Sequence, residues 1–529
     1  MSLNKSTSNP RILVVTPEIT YLPGGMDISK SGFSAKAGGL ADVAAALINA
    51  LFEMGADVHV ALPDYRSIFD SNSAPFNIKQ LSKKERRATG DRIHLAEDRL
   101  FYDLQAVYST YREENAKAAL AFQREVINTI VPRVKPDLIH CNDWMTGLIP
   151  AMSRKMDIQC LFTIHNVHTA KCRMSYIEQQ GIDTSSLWPY LFFDSPQLIE
   201  DRDSCRVDFL TSGISAAHFV NTVSPTFLRE ILDGRHPFIN QPTRKELLNK
   251  METGCVSAIL NAPDASYTPR TDKALVCQYG PEDHVKGKQK NKQFLQESLN
   301  LIRDINAPLF FWPSRLDVVQ KGCGLMTHIL YEVVSSFWEQ NLQLVFVADG
   351  EFKYQLKNTV QSYNFVERIA VCDFEERLSR LAYAAADFVL MPSLFEPCGL
   401  SQMIGAAYGA LPVAHKTGGI RDTIRPLDIK KDEGNGFLFE NHGSLGLCKA
   451  VREAMVFYNK PKNVKRNQIE RIMAQSAKNF SPETTARQYI RLYEQMLKRP
   501  LINSYAVKPI TQSQIFLSKS TNDSDPQRG

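Results

Sequence analysis

The sequence predicts an α/β protein with two doubly wound parallel sheets, each covered by helices. Three observations support this prediction. The chain has 529 residues, which is more than one ordinary hydrophobic core holds. Short apolar runs alternate with helical patterns from end to end, as is typical of parallel sheets wound with helices. The runs form two series, and a segment poor in apolar periodicity separates them.

The first series of apolar runs predicts an N-terminal domain over residues 1–265. Its expected strands are RILVVTPE, ADVHVALP, DLIHCND, CLFTIHN, HFVNTVSP and CVSAILN, each of which stops in a polar or turn cluster. Residues 261–292 are rich in proline and charge. We therefore expect the linker between the domains near residues 261–275.

The second series predicts a C-terminal domain over residues 266–480, with strands in PLFFWPSRL, LQLVFVADG, RIAVCDF, ADFVLMPS and LPVAH. A last helix is predicted over 481–500, because Ser481 can cap a first turn that contains Pro482. This helix has an apolar stripe, which predicts that it packs back across the domains. The stripe consists of Ala486, Tyr489, Ile490, Tyr493 and Leu497. Residues 501–529 are expected to be a disordered tail.

The composition is that of a globular protein, with 43% apolar and 22% charged residues. The net charge of +5 is too small to argue for nucleic acid or an anionic membrane as a partner. No apolar run reaches the roughly 20 residues of a membrane-spanning helix. The start, MSLNKSTSNP, shows neither a secretion signal nor a transit peptide, so we expect a cytoplasmic protein, a plastid location not being excluded.

The ten cysteines show no metal-binding spacing, so we expect reduced thiols, no metal and no cofactor. Three other fingerprints are missing from the sequence. No G-x-G-x-x-G follows the first strand, which speaks against a nicotinamide dehydrogenase. The segment GGMDISKSG lacks the glycine that precedes the lysine of a P-loop, and no G-x-S-x-G nucleophile elbow is present.

Polar and small residues follow many of the expected strands, at the edge where open α/β sheets bind ligands. They are Glu18 and the residues of six segments: KAGG (36–39), HCNDW (140–144), HN (165–166), SRLDVVQKG (314–322), SLFEPCGLSQ (393–402) and HKTGG (415–419). A hydrophobic core needs no such groups there, so their convergence predicts a ligand site. Lys36 and two glycines before an alanine-rich helix suit an anion such as phosphate, although a tight turn into a buried helix fits the same letters.

These segments resemble the bacterial glycogen synthase and plant starch synthase family. The resemblance rests on KAGGLADV, HCNDW, TIHN, VSPTFLREI, SRLDVVQKG and PSLFEPCGLSQ followed by HKTGGIRDT, and runs from about residue 11 to about 495. It implies a GT-B fold, in which two Rossmann-like domains face each other across a cleft and the C-terminal helix returns to the N-terminal domain. It also implies a retaining glucosyltransferase that extends the non-reducing end of an α-1,4-glucan from a nucleotide-glucose, usually ADP-glucose, without a metal.

The resemblance assigns five catalytic residues, which are Asp143, His165, Arg315, Lys321 and Glu396. Arg315 and Lys321 supply positive charge where the diphosphate leaves, although a surface salt bridge is an alternative for them. Asp143 and His165 are expected to line the sugar from the first domain, and Glu396 from the second. The residue eight positions after Glu396 is Ile404, so no second carboxylate supports a double displacement. We therefore favour front-face attack, in which the leaving phosphate takes the acceptor proton.

Substrate-binding residues are expected on both domains. Lys36, Gly38 and Gly39 are implied to close on the same diphosphate from the first domain. The expected substrate contacts of the loops are Asn166, the backbone N–H groups of Cys398, Gly399 and Leu400, and Thr417 with Gly418. Glu18 contacts the acceptor or braces the Lys36 loop, and Phe374 stacks on adenine or packs in the core. The Cys398 thiol, at a helix start, is a candidate for a lowered pKa, although a packing role is favoured.

The sequence departs from the family pattern at three loops. The expected hinge reads NAPD (261–264) where the family has Asn-Gly-Val/Ile-Asp, the loop at Asp349–Glu351 has one glycine fewer, and VHTAKC follows Asn166 without the common glycine. Two alternatives stay open. One is another retaining GT-B transferase that uses UDP-glucose or a small acceptor, and the other is a catalytically weak paralogue that binds glucan.

Overall fold

The computed structural model describes residues 9–26, 34–72, 92–193 and 205–502. The expected tail from residue 503 onwards lies outside the described residues, as do residues 27–33 of the long loop between Glu18 and Lys36. Among the helices in those ranges, none is both long and apolar enough to cross a membrane.

The described part of the chain contains fifteen strands. In chain order they are β1 (Arg11–Val15), β2 (Asp57–Pro63), β3 (Ile93–Ala96), β4 (Leu138–Asn142), β5 (Gln159–Ile164), β6 (Lys171–Arg173), β7 (Arg206–Asp208), β8 (Phe219–Thr222), β9 (Val256–Ala258), β10 (Leu309–Trp312), β11 (Gln343–Val347), β12 (Ile369–Cys372), β13 (Phe388–Met391), β14 (Leu411–His415) and β15 (Phe437–Phe439).

The helices separate the strands, as the alternating pattern predicts. The N-terminal half contains α1 (Gly39–Glu53), α2 (Arg66–Asn72), α3 (Arg99–Tyr102), α4 (Arg112–Glu125), α5 (Val131–Val134), α6 (Ile149–Arg154), α7 (Met174–Gln179), α8 (Phe209–Ala216), α9 (Pro225–Leu232) and α10 (Gln241–Glu252). The C-terminal half contains α11 (His284–Ser298), α12 (Cys323–Ser336), α13 (Lys353–Ser362), α14 (Glu376–Ala385), α15 (Ser401–Ala407), α16 (Gly418–Thr423), α17 (Ser444–Tyr458), α18 (Lys462–Asn479) and α19 (Pro482–Leu497).

The strands form two parallel sheets, which confirms the predicted fold class. The first sheet has the order β3-β2-β1-β4-β5-β8-β9 and the second the order β12-β11-β10-β13-β14-β15. All eleven expected strands are present. The short strands β3 and β15 were not predicted, and neither was the antiparallel pair of β6 and β7. Their length of three or four residues does not by itself explain this, because β9 also has three residues and was predicted.

The strand order reverses between β1 and β4 in the first sheet and between β10 and β13 in the second. At such a switch point the loops leave the sheet in opposite directions and open a crevice beyond the strand ends. The loops after these four strands carry Glu18 with Lys36, Asp143, Arg315 with Lys321, and Glu396. The topology therefore directs these predicted site loops to the crevice of their own sheet.

The last helix, α19, packs into the core of the first sheet, as predicted. Ser481 Oγ accepts a hydrogen bond from Thr484 N at its start. The predicted residues Ala486, Tyr489 and Tyr493 are buried, and the buried face also includes residues that the stripe omitted, Leu492 and Met496. The chain thus returns to its first domain after completing the second. The exact limits of the two domains stay a prediction.

The proline- and charge-rich segment 261–292 contains the start of a helix that the sequence did not reveal. Helix α11 begins at His284 and buries charged residues on its inner face. Lys288 Nζ donates to Ala384 O and Tyr408 O at 3.1 and 2.9 Å, and Lys292 Nζ lies 2.6 Å from Asp387 Oδ2. Because the buried face is charged, the segment shows no apolar periodicity.

Candidate active site

Glu18 braces the loop that leads into α1. Its Oε2 accepts hydrogen bonds from the backbone N–H groups of Ala37 and Gly38, both at 2.8 Å, and Tyr108 Oη donates to its Oε1 at 3.3 Å. Glu18 is only 2% exposed, and this burial raises its pKa, although the amide hydrogen bonds act in the opposite direction. Of the two roles expected for Glu18, the structure shows the bracing one.

Lys36 lies on this loop, immediately before α1, where Gly38 is the N-cap and Gly39 the first helical residue. Its Nζ lies 3.0 Å from Asp42 Oδ2 in the first turn of α1 and 3.3 Å from Glu376 Oε2 of the second domain. A Cβ built on Gly39 would lie 3.8 Å from the Leu400 side chain. The Lys36 loop therefore contacts the second domain, while its role toward a diphosphate stays a prediction.

The Asp143 side chain holds the start of the loop after β5 by hydrogen bonds. Its Oδ1 accepts from the backbone N–H groups of His165 and Asn166 at 2.7 and 3.2 Å. Burial raises the pKa of Asp143 to about 7, against the effect of these two hydrogen bonds. The residue has a φ of +58°, a left-handed conformation that is uncommon outside glycine and often occurs at functional sites. The structure thus brings Asp143, His165 and Asn166 together.

The His165 imidazole is neutral at physiological pH. Its Nε2 lies 2.9 Å from Asn142 Oδ1, which fixes the ring orientation, and burial lowers its pKa to about 3. A neutral imidazole can hydrogen-bond a sugar hydroxyl without placing a positive charge beside the developing positive charge of the sugar.

Lys321 and Glu396 form a close ion pair after β10 and β13. Lys321 Nζ donates to Glu396 Oε2 at 2.6 Å, and the two side chains are 13% and 10% exposed. Ser393 Oγ donates to the same carboxylate oxygen at 3.2 Å. Lys321 therefore neutralises Glu396 in this structure.

Arg315 is exposed. Burial lowers the pKa of His168, on the loop after β5, and the positive charge of Arg315 lowers it further. The loop after β10 thus carries two cations, Lys321, which is paired with Glu396, and Arg315, whose charge acts on a residue of the first domain.

The loop Cys398–Leu400 leads directly into α15, with Leu400 as its N-cap. Gly399 has a φ of +75°, and the Gln402 side chain donates to the carbonyl oxygens of Cys398 and Gly399 at 3.0 Å. The hypothesis of a reactive Cys398 is wrong, because the thiol is buried and its pKa is raised to about 12.

Glu230 of the first domain holds Thr417 and Gly418. Its two carboxylate oxygens accept from Gly418 N at 3.1 Å, and Thr417 Oγ1 donates to it at 3.3 Å. A Cβ on Gly418 would lie 2.0 Å from Glu396 O, so only glycine fits beside the Glu396 backbone. The roles of Thr417 and Gly418 toward substrate stay predictions.

Phe374 follows β12 and is 46% exposed, so the core-packing alternative is wrong for it. Its backbone N–H donates to Asp349 Oδ1 at 3.2 Å. The loop that departs from the family pattern therefore touches the residue expected at the base. Among the described residues, no group of three or more His, Cys, Asp or Glu side chains is arranged to hold a metal ion.

Several partners of the predicted residues were given no role from the sequence. They are Tyr108 beside Glu18, Asn142 beside His165, Glu230 beside Gly418, and Glu376 beside Lys36. Asn142 lies in HCNDW and Glu230 in VSPTFLREI, two of the segments that carry the resemblance. Glu376 follows β12 closely, and the strand-end rule could have found it. Tyr108 does not follow a strand end directly and lies in none of the quoted segments.

Comparison with known proteins agrees with this geometry. Residues 11–241 match the family described as starch synthase catalytic domain, and residues 326–471 match glycosyl transferases group 1. The chain is 31% identical to a glycogen synthase of Alkaliphilus metalliredigens over 87% of this chain and 97% of that protein. It is 32% identical to a glycogen synthase of Exiguobacterium sibiricum, over 87% and 95%.

Solved structures show the same architecture. The catalytic domain of starch synthase IV from Arabidopsis thaliana, bound to ADP and acarbose, aligns with a TM-score of 0.76 at 25% identity, over 93% of this chain and 100% of that one. A sucrose-phosphate synthase from Thermosynechococcus elongatus aligns with a TM-score of 0.57 at 18% identity and shares the fold. The two Rossmann-like domains, the facing strand-end loops and these similarities lead to one conclusion: the chain is a GT-B glycosyltransferase and belongs to the glycogen synthase and starch synthase family.

Proposed function

We propose that this glycosyltransferase transfers glucose from ADP-glucose to the non-reducing end of an α-1,4-glucan, with retention of the anomeric configuration. The observation that carries the proposal is the meeting of charged loops from both domains. Lys36 contacts the second domain, while Arg315 acts electrostatically on His168 of the first. The similarity to a starch synthase bound to ADP and acarbose, an oligosaccharide, supports the choice of donor and acceptor classes.

The chemistry requires positive charge at the diphosphate, because cleavage of its bond to C1 of glucose leaves negative charge on the phosphate. In this proposal Lys321, Arg315 and Lys36 stabilise that charge. The backbone N–H groups of Cys398–Leu400, which precede α15, hold phosphate or sugar oxygens.

Asp143, His165 and Glu396 surround the glucose. Among the residues that the structure describes, the close ionic partner of Glu396 is the Lys321 ammonium and not a second carboxylate. The leaving phosphate therefore takes the acceptor proton as the acceptor hydroxyl attacks the same face of the sugar. Because Lys36 lies on one domain and Lys321 on the other, the two cations act together only when the cleft is shut. We place this reaction in the cytoplasm.

One observation favours a second donor. Asp349 contacts the backbone of Phe374, the residue expected to stack on the base, and the Asp349 loop is the one that lacks the usual glycine. A changed loop at this position makes UDP-glucose the alternative donor.

The experiment that tests the proposal is glucose incorporation into glycogen by the purified protein, with ADP-glucose and UDP-glucose offered separately. Elongation with a strong preference for ADP-glucose is the expected result. Equal rates with both donors would mean that the protein has no preference for ADP-glucose, and would direct attention to the Asp349 loop near the expected base. Donor binding without any elongation would contradict the glucan acceptor and favour a small acceptor or a non-catalytic glucan-binding protein.

A further inference from the structure

The ammonium of Lys36 is shared between two carboxylates on opposite sides of the cleft. Asp42 lies in the first turn of α1, which follows Lys36, and Glu376 is the first residue of α14 in the second domain. The side chains of Lys36 and Glu376 are 26% and 42% exposed. The bridge between the domains is therefore accessible to a ligand that enters the cleft.

Glu376 is held firmly on its other side. Its Oε1 accepts hydrogen bonds from Tyr267 Oη at 2.8 Å and from Arg380 Nε at 2.9 Å. The Arg380 guanidinium lies 3.9 Å from the centre of the Tyr267 ring and also contacts Asp272 Oδ2 at 3.3 Å. Because these contacts occupy Oε1, Oε2 stays directed at Lys36.

This cluster contains more negative than positive side chains. Lys36 and Arg380 are the cations, while Asp42, Glu376 and Asp272 are carboxylates. Burial disfavours the charge of Lys36, but the two carboxylates outweigh it and leave its pKa raised. Burial likewise opposes the charge of Glu376, yet Lys36, Tyr267 and Arg380 leave its pKa lowered. Lys36 and Glu376 are therefore both charged at neutral pH, and a diphosphate that reaches Lys36 meets Glu376 as a like charge.

We propose that Glu376 is a positioning residue that competes with the donor diphosphate for Lys36. Without a ligand, Glu376 holds the Lys36 ammonium across the cleft. When the diphosphate binds, it displaces Glu376 from that ammonium, and Glu376 takes it back when the nucleoside diphosphate leaves. Glu376 thereby weakens the binding of donor and product and speeds product release. The inference rests on the proposed function, in which Lys36 contacts the diphosphate.

The test is a calorimetric titration of ADP into the full-length protein. Glu376→Gln keeps the shape and the hydrogen-bonding capacity of the side chain but removes its charge. We expect this variant to bind ADP about two- to fivefold more tightly than the wild type, which corresponds to one partly exposed ion pair. Glu367→Gln is the matched control, because Glu367 is exposed at the opposite end of β12 and its removal should leave ADP affinity unchanged.

The same substitution in a Lys36→Met background separates competition from general repulsion. Without the ammonium we expect Glu376→Gln to leave ADP affinity unchanged. Weaker or unchanged binding by the single variant would overturn the inference, as would equal tightening in the Lys36→Met background. A lowered melting temperature without tighter binding would indicate a structural role only and would also overturn it.

Two further outcomes distinguish this inference from the proposed function. If Lys36→Met binds ADP as tightly as the wild type, the inference fails, while glucan elongation by the wild type still supports the proposed function. If the wild type binds neither ADP nor UDP and does not elongate glucan, both fail.

Discussion

Lys321 Nζ lies 2.6 Å from Glu396 Oε2, and the two side chains are nearly enclosed by the second domain. One residue follows β10 and the other follows β13, so the switch point of the second sheet pairs two loops that are 75 residues apart. A cation and a carboxylate in this position can serve the leaving phosphate and the sugar, respectively.

Glu396→Gln should lower kcat for glucan elongation about 100- to 1,000-fold, because it removes the charge that faces the sugar and leaves Lys321 without its counter-ion. Ser393→Ala is the control, since it removes only the hydroxyl that donates to the same carboxylate at 3.2 Å and should cost less than tenfold. Circular dichroism should show that both variants are folded. A Glu396→Gln variant with activity within twofold of the wild type would disprove the assignment of Glu396.

Gly418→Ala should abolish most activity and lower the melting temperature. A Cβ there would lie 2.0 Å from Glu396 O, and the φ of +44° is itself unfavourable for alanine. Gly443→Ala is the control, because a Cβ at Gly443 meets nothing within 4 Å. Steady-state kinetics and thermal melting of both variants check the prediction, and normal activity in Gly418→Ala would mean that the Glu396 backbone can shift without consequence.

Tyr493→Phe should lower the free energy of unfolding by about 1–2 kcal/mol. The Tyr493 hydroxyl lies 2.8 Å from His140 Nδ1 inside the first domain, and its loss leaves the buried imidazole without that partner. Urea unfolding measures the effect, and Tyr354→Phe, at an exposed position, should unfold like the wild type. Equal stability of Tyr493→Phe would show that apolar contacts alone anchor α19.

Stability should fall as the pH drops from about 6.5 towards 3. Burial lowers the pKa of His94, His140 and His165 to about 3 each, so these rings stay neutral in the folded chain and bind protons once it unfolds. The sign follows from linkage: their contribution is present above pH 6.5, the unfolded value, and is lost as the pH falls towards the folded one. Each histidine adds a slope of up to about 1.4 kcal/mol per pH unit.

Denaturant unfolding at intervals of half a pH unit tests this slope. The variant His94→Gln should show a shallower decline than the wild type, because one of the three buried groups no longer titrates. A free energy of unfolding that is constant between pH 6.5 and 4.5 would contradict the prediction.

Cys398→Ser should keep activity within about threefold of the wild type, because the backbone N–H and not the thiol is assigned to the substrate. The raised thiol pKa also predicts that iodoacetamide at pH 7.5 leaves Cys398 unmodified, which peptide mapping can measure. Inactivation that coincides with alkylation of Cys398 would reverse this conclusion.

The fold and much of the candidate site were predictable for a common reason. Each predicted strand is a short apolar run that is followed by polar residues. Parallel sheets place their functional loops after the carboxyl ends of such strands. This rule selected the loops that contain Glu18, Lys36, Asp143, Lys321 and Glu396, and the family resemblance assigned roles to these residues. Apolar periodicity failed to predict α11, because the buried face of this helix carries polar residues such as Lys288 and Lys292.

The partners of these residues were not predictable. Glu376 lies 340 residues from Lys36 along the chain, and Glu230 lies 188 residues from Gly418. A single carboxylate in a charged or amphipathic segment looks like a solvated surface group until a distant helix is packed against it. The same holds for His140 and Tyr493, which are separated by 353 residues.

Local periodicity and turn residues encode the two parallel sheets, the capped final helix and the polar residues at the strand ends, so these features follow from the amino-acid order. Which charges meet depends on how the chain is packed: Lys321 meets Glu396 within the second domain, and Lys36 meets Glu376 between the domains. An ion pair requires a short distance and partial burial, and neither quantity follows from spacing along the chain once the residues belong to different loops or domains.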